Sequence, residues 1–327
     1  MSLHGRCRPE VSEMPFTDWD TLLRRIKNKA CTPFVGAGAS AAFLPLGGSL
    51  AQQLAREFNY PLADNQDLAR VTEFVAVTKK DGMAPKDRIR EAFQTVAGPN
   101  PEDKSDIHRV LASLDLPIYL TTNYDDFMFK ALRAAGKDAN REVCRWNKLL
   151  LEQEPSAFDS GYDPTAANPV VFHLHGRADI PESIVVTEDD YLDFLVNISK
   201  DLAVSPTGSQ QRAALPVRIR SAIRNTTLLF VGYRLADLNF RVILRGLLGS
   251  IEQSTKRISI AVQLRPETRD GKAAEEEVNR MQDYLEQYFN WTLNLQVYWG
   301  PADDFARELQ QRLGGVVESS AASPDHR

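Results

Sequence analysis

Apolar side chains along this chain recur in two ways, and each way predicts a different element. Three- and four-residue spacing marks amphipathic helices. Trp19, Leu22, Leu23 and Ile26 form one such stripe, with Thr17 and Asp20 as a candidate capping box. Leu50, Leu54 and Phe58 form another, and residues 61–104 continue as helices (Leu68, Val71, Val75, then Ile89, Phe93, Val96) with no strand among them. Ile107, Val110, Leu111 and Leu114 give a further helix. Short continuous apolar runs mark buried strands at residues 32–35, 117–121, 170–174, 227–231, 258–264 and 293–298, with a shorter candidate at 183–186. Helical stripes separate most of these runs: Phe127 with Leu132, Tyr191 with Phe194 behind a Thr187 N-cap, Phe240 with Ile243 and Leu247, Val278 with Met281 and Leu285, and finally residues 302–313. Pro155, Gly161 and Pro164 interrupt the pattern over 141–168, which reads as an insertion or mobile loop. Residues 200–212 read as a flexible segment, and those beyond Gly314 as a disordered tail.

Strands alternating with helices predict βαβ units and a mostly parallel sheet flanked by helices. The expected organisation is one α/β domain over residues 15–313, with a helical insertion near 61–104, a variable one near 141–168, and the tail at 314–327. Composition adds exclusions. The 327 residues carry 39 Lys+Arg against 44 Asp+Glu, a net charge of −5, so no global basic field gathers nucleic acid. Cys7, Cys31 and Cys144 are too few and too scattered for a disulfide framework or a four-cysteine zinc ribbon. The sequence contains no apolar run of about 18 residues, and its first residues lack the roughly 7–15-residue apolar core of a secretory signal, so a cytoplasmic, membrane-free protein is expected.

In an open α/β sheet, ligands bind beyond the carboxyl ends of the strands, and three strand ends here carry small or polar residues. The first, Gly36-Ala37-Gly38-Ala39-Ser40-Ala41, fits a loose G-x-G-x-x-A turn, whose glycines admit a pyrophosphate and whose following helix offers N–H groups. A plain strand-to-helix turn fits the same residues. A Rossmann dehydrogenase also needs an acidic residue about 20 positions on, to grip the ribose. That spacing lands on Glu57, inside a helix, so the dehydrogenase reading loses its second anchor.

The second end, Thr122-Asn123-Tyr124-Asp125, offers an amide able to hold a ribose hydroxyl or a water, and a carboxylate. Turn shaping by Asn123 and helix capping by Asp125 are the plainer alternatives. At the third end, His173-Leu174-His175-Gly176, an H-x-H metal pair lacks partners, since only His4, His108 and His326 remain as nitrogen donors. His175, followed by a glycine that leaves room for a ligand, is better placed as a general base, while His173 reads as a structural histidine.

Together with Val231-Gly232-Tyr233-Arg234-Leu235-Ala236-Asp237-Leu238-Asn239, these three motifs, in this order and spacing, resemble the sirtuin-like superfamily. More narrowly, they resemble its bacterial branch that hydrolyses NAD in antiphage defence. The resemblance implies a Rossmann-like fold with helical insertions and no zinc module. It implies NAD as substrate and no metal, with the nicotinamide–ribose bond cleaved to nicotinamide and ADP-ribose, and NAD depletion in abortive infection as the outcome. It assigns Asn123 and His175 to catalysis, and Gly36, Ala37, Gly38, Ser40 and Thr122 to binding the dinucleotide. Asp125 would approach the nicotinamide carboxamide, and Gly232 and Tyr233 would line the adenosine side, with Asp237 as either a further contact or a helix cap. A protein deacylase is disfavoured by the scarcity of cysteines and by Phe43-Leu44-Pro45-Leu46-Gly47-Gly48 in place of the deacylases' Pro-Asp-Phe-Arg segment. A module that senses NAD or ADP-ribose without turnover remains the alternative. Restraint of a toxic activity implies a homo-oligomer, or a partner such as a hexameric ATPase or a short Argonaute encoded nearby.

Overall fold

The computed structural model describes residues 18–94, 96–100, 103, 105–203, 213–234, 241, 257–266 and 275–321. Its centre is one sheet of β1 (Cys31–Val35), β2 (Ile118–Thr121), β3 (Asn140–Val143), β4 (Val170–His173), β5 (Thr227–Val231), β6 (Ser259–Gln263) and β7 (Leu295–Trp299). The spatial order is β3-β4-β2-β1-β5-β6-β7, and every pairing is parallel. Alternate residues of each central strand enter opposite cores. On β5, Leu228 and Phe230 join one apolar cluster while Leu229 and Val231 join the other; on β2, Ile118 and Leu120 are separated from Tyr119 in the same way. Burial on both faces is what makes these strands read as unbroken apolar runs.

Helices α1 (Trp19–Lys27), α2 (Gly47–Glu57), α3 (Leu68–Lys79), α4 (Ala84–Gln94), α5 (Ile107–Ala112) and α6 (Phe127–Ala134) come first. They are followed by α7 (Lys148–Gln153), α8 (Glu188–Ala203), α9 (Val217–Asn225), α10 (Glu275–Leu293) and α11 (Ala302–Ala321). Helices α2 to α4 form a third core of Leu50, Ala51, Leu54, Ala55, Val71 and Ile89, closed by Ile184 and Val186. Within 61–104 the expected helices appear as α3 and α4, but α4 ends at Gln94, so Val96 lies beyond it rather than on its face. Thr187 does cap α8: its Oγ1 accepts from Asp190 N (3.1 Å) while its own N–H donates to Asp190 Oδ2 (3.2 Å).

The structure departs from the sequence pattern in four places. Residues 141–168 are not a mobile loop: β3, α7 and a 3-10 turn at Ala157–Ser160 lie there. As an edge strand, β3 keeps Asn140 and Arg141 half-buried and so shows no apolar run. Residues 183–186 are not a strand; Ile184 and Val186 are buried by α2 to α4 rather than by a ladder. Asp18, not Thr17, holds the N-cap position of α1, without a side-chain bond, and Thr17 lies outside the described residues. Beyond Gly314 the last helix runs on to Ala321, since a glycine pair costs about 1 kcal/mol per residue without stopping a helix. The expected helix around 240–247 and most of 200–212 fall outside the described residues.

Candidate active site at the strand ends

From β1 the chain builds outward through β2 to β4 and β3, then returns to place β5 on the other side of β1. The chain reverses direction between β1 and β5, and the carboxyl ends at such a reversal are the usual ligand position in open α/β sheets. Both glycine motifs converge there. Gly36 N donates to Val231 O (2.8 Å), Gly38 N to Gly232 O (2.8 Å) and Ala39 N to Gly36 O (3.0 Å). Gly232 has φ +79°, and a Cβ there would lie 2.3 Å from Ala39 N, so glycine is required for the two loops to meet. The Tyr233 ring lies over Gly36, where a Cβ would come within 2.9 Å of it. Its hydroxyl donates to Val35 O (3.0 Å) and shares a hydrogen bond with Thr122 Oγ1 (2.9 Å).

Asn123 and His175 leave neighbouring strands side by side. Thr121 of β2 pairs with His173 of β4, and each site residue lies two positions beyond its partner of that register. The Asn123 backbone is fixed at both ends: its N–H donates to Thr121 Oγ1 (2.9 Å), and its carbonyl accepts from His173 Nδ1 (3.0 Å). Its side-chain Nδ2 donates to Gly36 O (3.2 Å) and Ser40 Oγ (3.3 Å), and Ser40 Oγ donates to Asp125 Oδ2 (3.0 Å). Asp125 Oδ1 accepts from Phe127 N (3.0 Å), so this carboxylate also caps α6. Burial raises the Asp125 pKa, countered by the nearby His108 and by the Phe127 and Ser40 donors.

The His175 ring is 4% exposed and wedged edge-on between Tyr191 (5.4 Å) and Phe194 (5.2 Å) of α8. Burial alone pushes its pKa down to about 3. His173 is likewise held near 3, by burial first, against the opposing bond to Asn123. Three buried polar atoms here lack a hydrogen-bond partner: Asn123 Oδ1, His175 Nε2 and His173 Nε2. Gly176 has φ +87° with Ser183 O 2.2 Å from where its Cβ would lie, so the glycine after His175 serves close backbone packing.

The structure thus gathers Gly36, Gly38, Ser40, Thr122, Asn123, Asp125, Gly232 and Tyr233 in one hydrogen-bonded and packed group, with Ala37 exposed on the same loop. His175 stands on the adjoining strand end, and Asp237 lies outside the described residues. Sequence reasoning passed over two contributors. Thr121, the last residue of β2, bridges Asn123 N to Val35 O (2.8 Å), and Tyr191 covers His175. Thr121 was within reach, as a hydroxyl ending an apolar strand beside the amide; nothing in its neighbours marked Tyr191. Among the described residues no group of three or more His, Cys, Asp or Glu side chains is placed to hold a metal ion, and no helix is long and apolar enough to cross a membrane.

Residues 117–289 match the SIR2-like domain family, a span that includes the Asn123, His175 and Gly232 motifs. The chain belongs to this SIR2-like family. It is 24% identical over 242 residues to a protein of Acinetobacter baumannii named NAD(+) hydrolase ThsA, covering 73% of this chain and 43% of that protein. Proteins of the same name from Enterococcus faecium (29% over 140 residues; 43% of this chain, 24% of that one) and Bacillus cereus (22% over 225; 68% and 41%) match as well. This SIR2-like chain spans less than half the length of each of these relatives. A solved structure from work on the mechanism and regulation of Sir2 enzymes aligns over 91% of this chain and 99% of its own, at 13% identity and a TM-score of 0.37.

Proposed function

We propose that this chain cleaves NAD between nicotinamide and ribose, releasing nicotinamide and ADP-ribose, and that it depletes NAD in antiphage defence. One observation supports the chemistry above the others: Asn123 Oδ1 and His175 Nε2, on adjacent strand ends, are buried polar atoms with no partner in the chain. Buried polar atoms are nearly always paired, so two left open beside the glycine turns are suited to a ligand's hydroxyl or water. The hydrolase names of the relatives point to the same substrate.

The C1′–N bond breaks with its electron pair passing to the pyridinium nitrogen, so nicotinamide departs neutral and needs no general acid. Water adds to the oxocarbenium-like C1′, and its proton passes to His175 and then to solvent. Asn123 Oδ1 accepts a hydrogen bond from the ribose or the water and fixes its place. General-base help of this kind contributes about 10²–10⁴-fold, and positioning several kcal/mol more.

As it stands, the site is closed. The Gly38 N–H is taken by Gly232 O, and Tyr191 and Phe194 cover the imidazole. Uptake of a pyrophosphate exchanges the first bond for one to phosphate oxygen, and catalysis requires the cover over His175 to open. Because burial alone depresses its pKa, opening returns the ring toward its ordinary value of 6.5, where it is an effective base near neutral pH. A closed, weakly basic histidine suits an enzyme held off until an oligomeric or partner-bound state releases it.

The test is nicotinamide release from NAD, followed by chromatography, for the wild type, His175→Ala and Asn123→Ala. Loss of at least about 10²-fold in both variants is expected. Undiminished release in either variant removes that residue from the mechanism, and ADP-ribose binding with no wild-type turnover in any assembly favours a sensing module.

A further inference from the structure

Resting on that reading of NAD cleavage, in which the aromatic cover over His175 must lift, we infer that the outer face of the cover docks a basic, apolar-anchored segment of an inhibitory protein. Bound there, the segment holds α8 down and the site closed. Helix α8 is two-sided. Tyr191 and Phe194 face inward onto His175, and Phe194 and Ile198 enter the core. Asp189, Leu192, Asp193 and Val196 form an exposed stripe at three- and four-residue spacing on the other side. Leu192 is 61% and Val196 52% exposed, and Val77 on the neighbouring α3 is 67% exposed. A single exposed aliphatic residue means little; here two share one stripe, next to a charged cavity.

That cavity, of about 360 Å³, lies between α3, α4 and the first turn of α8, and its lining includes Glu73, Asp81, Lys86, Asp189 and Asp190. Lys86 is committed to Asp190 (2.8 Å), which leaves Glu73, Asp81 and Asp189 as a negative lining that Asp193 continues one turn along α8. The backbone N–H groups of Asp189 and Met83 donate to Glu73 (3.3 Å) and Asp81 (2.8 Å). Among the described residues, no lysine or arginine pairs with those two carboxylates, with Asp189 or with Asp193. The helix dipole accounts for the acidic first turn of α8, Glu188, Asp189 and Asp190, but not for Glu73, Asp81 or Asp193. The occupant this chemistry selects brings a Lys or Arg side chain to the cavity and aliphatic side chains to Val77, Leu192 and Val196. A second copy using the same face would set carboxylate against carboxylate, and nucleic acid or an anionic membrane would be repelled.

The sign of the effect follows from what the face is built on. α3 and α4 share the third core with the body of the domain, whereas α8 carries the cover. The face is complete only while α8 lies down, and an occupant shifts an equilibrium only by binding one state better than the other. A segment bridging α3 and α8 therefore favours the covered, weakly basic His175 and opposes whatever assembly opens the site.

The probe is a synthetic helical peptide with leucine at i, i+3, i+4 and i+7 and lysine at the remaining positions, beside a control with glutamate for every lysine. Calorimetry follows binding to the wild type, to Leu192→Ser/Val196→Ser and to Asp189→Asn/Asp193→Asn, all changes of exposed side chains. Each double variant should weaken the lysine peptide at least about tenfold, and the glutamate peptide should not bind. The chain carries 44 Asp+Glu, so equal binding by Asp189→Asn/Asp193→Asn means diffuse charge attraction and overturns the inference, as does equal binding by Leu192→Ser/Val196→Ser. At free peptide about ten times its Kd the open population falls about tenfold, and NAD cleavage and amide hydrogen exchange over 190–198 should slow with it. Faster or unchanged cleavage or exchange overturns the inference. Sedimentation without peptide tests the other occupant: self-association of the wild type that Leu192→Ser/Val196→Ser abolishes assigns the face to a second copy and overturns it too. If the wild type cleaves no NAD, the catalytic reading fails, and binding and exchange alone decide the docking.

Discussion

Acidification from pH 7 to pH 5 tests the buried histidines, and its size follows from their surroundings. His173 and His175 have pKa values pushed from 6.5 down to about 3 by burial, so in the fold both stay neutral across this range. In the unfolded chain both rings take up protons as pH drops below 6.5, which stabilises the unfolded state. The stability held by each ring is therefore complete above pH 6.5 and is lost as pH falls toward the folded value. For one ring, the unfolded state gains about 2 kcal/mol at pH 5 and only about 0.2 kcal/mol at pH 7, so two rings together remove roughly 4 kcal/mol. That is a large part of the ~5–15 kcal/mol that holds a typical domain. Urea unfolding at both pH values, for the wild type and for His175→Leu, isolates one ring. Asp125, whose raised pKa works in the opposite direction, is common to both proteins and cancels. The leucine variant should lose about 2 kcal/mol less stability than the wild type between pH 7 and pH 5. An identical pH dependence in the two proteins would refute the assignment of a neutral, solvent-excluded His175.

Gly232→Ala combines a left-handed backbone, about 1–2 kcal/mol, with a Cβ 2.3 Å from Ala39 N, which overpacking of about 1–3 kcal/mol describes. Denaturant unfolding should show a loss of about 2–5 kcal/mol, and calorimetry should show weakened ADP-ribose binding, although the residue offers no side chain to a ligand. Lys86 and Asp190 form a 2.8 Å ion pair with side chains only 9% and 13% exposed, and Asp190 also holds the N-terminus of α8. Lys86→Met should destabilise by about 3–5 kcal/mol, and adding Asp190→Asn should cost much less than a second independent loss, because removing one partner strands the other charge.

The alternation of strands and helices was legible because the strands are buried on both faces and so carry continuous apolar runs. β3 escaped because an edge strand needs no such run, and 183–186 misled because its apolar residues are buried by α2 to α4. Each strand-end motif was visible as a local string. Their mutual contacts were not, since Tyr233 reaches Val35 O across 198 positions of sequence and Gly232 meets Gly38 only through the sheet reversal. His173, read from the sequence as structural, holds the Asn123 carbonyl through Nδ1. The closed state of His175 had no local signature, because the aromatic cover comes from another element, α8.

Crystals of this chain soaked with ADP-ribose test the central claim most directly. The pyrophosphate is predicted to lie against residues 36–40, having displaced the Gly38 to Gly232 bond, with the ribose C1′ facing Asn123 Oδ1 and an uncovered His175. A nucleotide bound away from the β1 and β5 ends, or one seated there while Tyr191 and Phe194 still seal the imidazole from the ribose, would contradict it.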